Sequence, residues 1–235
     1  MAFSHSKNAK VYVNGYDLSS YLNTISTPAA ADVAETSTFT KSSKTYVAGK
    51  KDATVDATGF FDGDSDAVDE VLEAALATQV DWVWYPAGDT FGNVGFGVQA
   101  VDNAYNVAAA NTSAVSIAAG GQVTDGKDTG VSLHALSQVT TTGNSSGHDG
   151  GAQSTDGGVA YLQVTDVTGT VALSLYHDSN SDFSTESELV AFTNIDTDYS
   201  TEKVEFSGTV ERYIRAKWTL DEEETLTFNV LFCRY

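Results

Sequence analysis

The 235-residue sequence predicts a mainly β protein with one flanking helix. Twenty glycines against two prolines, with abundant Thr, Ser, Val and Tyr, favour strands and turns over a helical bundle. Between residues 51 and 58, Asp52, Thr54, Asp56 and Thr58 alternate with Lys51, Ala53, Val55 and Ala57. That period of two marks a half-buried strand. A convincing helical stripe occurs once: Val68, Val71, Leu72, Ala75 and Leu76 share one face of a helix expected over about residues 65–77.

The elements follow in order along the chain. "KVYVNGYDLSSYL" (10–22) reads as a short strand, a turn at Asn14-Gly15 and a second short segment. The Thr/Val-rich stretch 33–61 leads through the alternating strand into the helix. "VDWVWYPAG" (80–88) is a strand closed by a Pro-containing turn. Residues 92–121 predict two strands around a turn near Asp102-Asn103, and "GVSLHAL" (130–136) predicts another. Composition then breaks at "TTTGNSSGHDGGAQSTDGG" (140–158), where no apolar residue is larger than Ala, as expected of a linker or exposed loop. After it come "VAYLQVTDV", "TVALSLYHD", "ELVAFTNI", "TEKVEFSG", "RYIRAKWTL" and "TLTFNVLFCRY", short strands at nearly even spacing, the pattern of an Ig-like or jelly-roll-like β-sandwich. The expected organisation is a first domain over 1–142, a linker over 143–158 and a sandwich over 159–235.

A net charge of −20 disfavours tight binding to DNA or anionic lipid. Cys233 is the single cysteine, so no disulfide forms within the chain; it reads as a small residue in the last strand. The N-terminal segment lacks the apolar core of a signal peptide, and no apolar run approaches membrane-spanning length. The expectation is synthesis in the cytoplasm and no membrane partner.

"FFDGDSDAVDEVLEAAL" (60–76) poses the sharpest chemical question, because Asp62, Asp64, Asp66, Glu70 and Glu73 match much of a calcium-loop pattern. Ala67 occupies the position where the loop's turn requires Gly, and the helical stripe has already begun. A helix start explains the same acids, with Asp64, Ser65 or Asp66 as cap and the other first-turn carboxylates facing the helix dipole. "DSNSDFSTESEL" (178–189) is a second near-match that has Phe183 and Leu189 in the decisive places; an acidic surface loop fits it better. His5, His134, His148 and His177 are scattered without zinc spacing, and no nucleophile elbow or phosphate loop occurs. The glycines of "GFGVQA" (95–100) read as relief for close strand packing. No enzyme, cofactor or metal is expected. The bases of "VERYIRAKW" (210–218) point to ion pairing within the chain or a contact between subunits. Tyr161, Tyr176, Tyr213 and Trp218 could serve a carbohydrate face only if they lay together.

Taken in order, "VYVNGYDLSSYLN" and "KKDATVDATGFFDGDSDAVDEVLEAAL", separated by a Ser/Thr-rich stretch, resemble the major tail tube proteins of long-tailed phages. The resemblance covers about residues 10–85, and 86–140 by strand content alone. The ending "RYIRAKW…FNVLF-R" looks like the accessory domains such proteins carry outside the tube. The resemblance implies a tail-tube β-barrel or sandwich whose copies form rings, hexameric in that family. The rings stack into a hollow non-contractile tube in the virion tail, assembled in the host cytoplasm. It implies tape measure, tail terminator and distal tail proteins as partners, and DNA passing through the lumen without specific binding. Asp52, Thr54, Asp56 and Thr58 are the candidate lumen stripe, with an ordinary outer barrel face as the competing assignment. Ala29–Tyr46, with Glu35, Thr38, Phe39, Lys41 and Lys44, is the candidate stacking loop between rings, and the first nine residues a candidate arm. Arg212, Tyr213 and Arg215 are candidate outer-domain contacts. The rival functions are the inner tube of a contractile injection system and a carbohydrate-binding, adhesion or decoration module.

Overall fold

Alternating apolar residues set each strand's buried face, and the strands can be followed in chain order. The computed structural model describes residues 6–193 and 195–235, so His5 and most of the proposed N-terminal arm lie outside the described residues. After a 3-10 turn over Ser6–Asn8 come β1 (Lys10–Val13), β2 (Tyr16–Asp17), β3 (Leu22–Ser26), β4 (Ala29–Glu35) and β5 (Tyr46–Phe60). Then follow α1 (Val68–Ala75), β6 (Gln79–Tyr85), β7 (Val94–Ala108), β8 (Ser116–Val123) and β9 (Asp128–Val139). The remaining strands are β10 (Gly143–Asn144), β11 (His148–Asp149), β12 (Gly158–Thr168), β13 (Ala172–Asp178), β14 (Ser187–Ala191), β15 (Ser200–Phe206), β16 (Tyr213–Thr219) and β17 (Thr225–Arg234). The class is mainly β, with two antiparallel sheets and one α-helix among the described residues.

The large sheet runs β15-β12-β17-β9-β7-β6-β1-β2. Its branch point is β7, whose first residues pair with β9 and whose later residues pair with β8. β5 then lies along β8, with β3 and β4 in line along its other edge. The smaller sheet is β14-β13-β16, closed on the far side of β16 by β10 and β11.

Among the described residues three apolar cores result. One lies under α1 and takes in Val13, Val55, Leu72, Trp82, Val98 and Ile117. The second fills the sandwich between the sheets with Leu133, Leu162, Leu173, Ile214, Trp218 and Phe228. In the third, Tyr12, Val83 and Tyr85 of β1 and β6 pack on Val159, Tyr161, Leu231 and Cys233 of β12 and β17. This last core joins the two halves of the chain. Full burial of side chains this large contributes ~1.5–3 kcal/mol each. Polar bonds reinforce the seam: the Tyr85 hydroxyl donates to Asn229 Oδ1 at 2.8 Å, and the Gly15 amide donates to Gln163 Oε1 at 2.7 Å. Gly95 and Gly97 of β7 leave room for the Tyr85 and Tyr161 rings, the close packing expected of "GFGVQA".

Four expectations are corrected. Residues 143–158 are not a free linker. β10 and β11 hydrogen-bond to β16, Ser145 is buried, and Ser154 bridges to Val210, because Gly and Ser leave a backbone free to pair at a sheet edge. The turn near Asp102-Asn103 is a bulge inside the continuous β7, which aims the Asp102 carboxyl into the core beneath Trp82. The helix spans Val68–Ala75, and its cap position is Ala67, which makes no side-chain capping bond. Asp66 adopts a left-handed φ of 60° that Asp tolerates, and its amide donates instead to Glu70 Oε2 at 2.9 Å. Leu76, assigned to the buried stripe, sits past the last helical turn and is 42% exposed.

Candidate assembly surface

The most unusual surface is the segment expected as a stacking loop. It is a two-stranded ribbon in which β4 pairs with the first half of β5, from Ala29 opposite Ala53 to Glu35 opposite Tyr46. Every residue of β4, and Tyr46–Asp52 of β5, is exposed. Among the described residues the ribbon pairs with no third strand, because β8 joins β5 only from Thr54 onward. An isolated two-stranded ribbon is marginal in water and presents unpaired edges to any neighbour. Glu35 and Lys44 close its tip at 3.1 Å, and the Lys41 amide donates to the Thr38 carbonyl at 3.0 Å. Phe39 projects fully into solvent, with Val33, Tyr46 and Val47 also exposed. The small, polar composition of 29–45 hid this ribbon from sequence reading. The one local signal is the pair Tyr46-Val47, an aromatic and a β-branched residue of the kind that favours strands.

Beyond the ribbon, β5 behaves as its alternation predicts. Ala53, Val55 and Ala57 are buried, Asp52, Asp56 and Thr58 are exposed, and Thr54 is half-buried. Cross-strand register extends that outer face through Ser26 and Thr24 of β3 and through Ala118, Gly120 and Gln122 of β8. The Gln122 amide donates to the Ala53 carbonyl at 2.8 Å and to Asp52, while the Thr54 hydroxyl donates to Asp56 Oδ2 at 3.1 Å. Between Asp52 and Thr58 this face carries small side chains and two carboxylates.

The outer-domain candidates are engaged within the chain. Arg212 grips Asp149 through two bonds of 2.8 and 2.7 Å and lies over the Tyr213 ring at 5.0 Å. That grip holds the Asp149 carboxyl well below the usual carboxylate range. Arg215 Nε donates to Glu186 at 2.9 Å, and Lys217 reaches the same carboxylate at 2.8 Å. Arg215 also covers Phe183, and Lys217 covers Tyr176. Of the aromatics considered for a carbohydrate face, Tyr161 and Trp218 are buried in two different cores and cannot share a platform. In the second near-match to a calcium loop, Asp178 instead accepts the amides of Asn180 at 2.8 Å and Thr185 at 2.7 Å, folding the loop onto its own carboxylate.

No protein-family model matches the sequence, and no curated protein matches it. Solved structures to which this chain is similar include a chain of the virion of a native gene transfer agent particle, at 12% identity and a TM-score of 0.40, covering 53% of this chain and 97% of that one. The SPP1 tail tube is similar at 14% identity and a TM-score of 0.44, over 53% of this chain and 77% of the other. The SPP1 Dit protein, of a hub adsorption apparatus in phages infecting Gram-positive hosts, is similar at 10% identity and a TM-score of 0.37, over 97% of this chain and 99% of the other.

Proposed function

We propose that this chain is a self-assembling structural subunit of a phage tail, and specifically the major tail tube protein of a non-contractile tail. The supporting observation is the exposed β4–β5 ribbon, which has unpaired edges and apolar side chains in water and so is suited to completion by another copy. The ordered sequence pieces that resemble tail tube proteins flank this ribbon and supply the part of β5 beyond it and the helix. In this proposal rings of the protein stack into a hollow tube in the virion, and the outer face of β5 lines the bore. Small side chains with Asp52 and Asp56 would let DNA slide by repulsion. No residue is assigned a catalytic role. The rival carbohydrate-binding module loses two of its four aromatics to the cores.

Electron microscopy and sedimentation of the purified chain test this reading. Rings or tubes are expected above a threshold concentration, and replacing residues 36–45 with a tight turn should abolish them. A chain that stays monomeric at every concentration refutes the proposal.

A further inference from the structure

β5 runs unbroken for 15 residues, from the ribbon at Tyr46 to Phe60 at the opposite end, a span of about 50 Å at ~3.3 Å per residue. Its two ends carry complementary chemistry. The ribbon end exposes Val33, Phe39, Tyr46 and Val47. Residues 29–51 hold four lysines against two acids, a net of +2, on a chain of net −20. Lys41, Lys50 and Lys51 make no ion pair among the described residues.

The far end exposes Phe60, Phe61 and Val115, at 51, 40 and 36%. They are held side by side, since the Phe61 amide donates to the Val115 carbonyl at 3.1 Å and Phe60 lies opposite Ser116. Asp62, Asp64 and Asp66 follow at once, and no Lys or Arg occurs between residues 52 and 126. The acidic stretch that mimics a calcium loop thus borders an exposed apolar patch.

We propose that the ribbon of one copy seats on the Phe60–Phe61–Val115 patch of a second copy, with its lysines against the Asp62–Asp66 segment. The inference rests on the self-assembly reading above and names the surface that receives the ribbon. The two surfaces lie at opposite ends of one strand, so a chain cannot satisfy itself. A ribbon-to-ribbon contact would set like charges together. The contact is therefore heterologous, head to tail, and propagates from copy to copy.

A charge exchange between two variants tests this pairing. Lys41→Glu/Lys44→Glu reverses the ribbon, and Asp62→Lys/Asp64→Lys reverses the patch border. Each variant alone sets like charges face to face and should assemble only at a threshold at least about tenfold above the unaltered chain. An equimolar mixture, in which every contact is again between opposite charges, should assemble near the unaltered threshold. Phe60→Ser/Phe61→Ser should also raise the threshold about tenfold without changing the circular dichroism spectrum. If the mixture assembles no better than its components while the unaltered chain forms rings or tubes, the pairing is wrong and self-assembly stands. If Phe60→Ser/Phe61→Ser assembles like the unaltered chain, the pairing is equally wrong. An unaltered chain that never assembles removes both.

Discussion

Gly97→Ala tests the seam between the two halves. A Cβ at residue 97 would lie 2.5 Å from the buried Tyr161 ring. That ring has nowhere to retreat, because it sits in the third core and its hydroxyl donates to Asp128 at 2.6 Å. Overpacking of this kind costs ~1–3 kcal/mol. Restricting the unfolded chain returns ~0.4–1 kcal/mol. At the middle of both ranges the net loss is about 1.3 kcal/mol, which a urea dependence of ~2 kcal/mol per M converts to a midpoint lowered by about 0.6 M. Equilibrium urea unfolding followed by tryptophan fluorescence measures it. Repeating the substitution in a Tyr161→Leu background should recover at least about 0.5 kcal/mol as coupling. A midpoint within error of the unaltered chain, or equal costs in both backgrounds, would show that the glycine is not there to admit the ring.

Burial pushes the Asp102 carboxyl up to about 7 from its ordinary 3.8, against the opposing hydrogen bond from Trp82, and its second oxygen is buried without a partner among the described residues. A raised carboxyl contributes stability that is whole below the unfolded value and lost as pH climbs through the folded one, so stability should fall between about pH 4 and 7. Asp102→Asn should flatten much of that fall and raise the melting temperature at pH 8; parallel melting profiles for the two proteins would contradict it. Asp81, also raised by burial against hydrogen bonds from Gln99 and Thr201, supplies a residual slope in the same direction. Glu186→Gln, which weakens the links to Arg215 and Lys217 on a partly exposed face, should cost at most ~1 kcal/mol in urea unfolding. Asp52→Lys/Asp56→Lys should leave tubes intact under the microscope yet impair DNA ejection from virions built with it, and unaltered ejection would remove β5 from the bore.

Local period and turn chemistry alone specified the strand over 51–58, the stripe of α1, and all six strands after residue 158, since each depends on which neighbours i+2 or i+4 are apolar. The intramolecular ion pairs of Arg212 and Arg215 were likewise foreseeable from a few bases in an acidic chain. Tertiary structure decided the rest. β9 pairs with β17 across separations that run from Val139–Leu226 to Val131–Phe232, and Tyr12 shares one core with Tyr161; neither leaves a local pattern, because partners so distant are chosen by shape and burial. The Gly/Ser-rich 143–158 became sheet edge through backbone bonds that composition does not encode. The ribbon and the Phe60–Phe61 patch acquired meaning only when folding set them at opposite ends of one strand, since whether an apolar side chain is covered depends on what the rest of the chain brings to it.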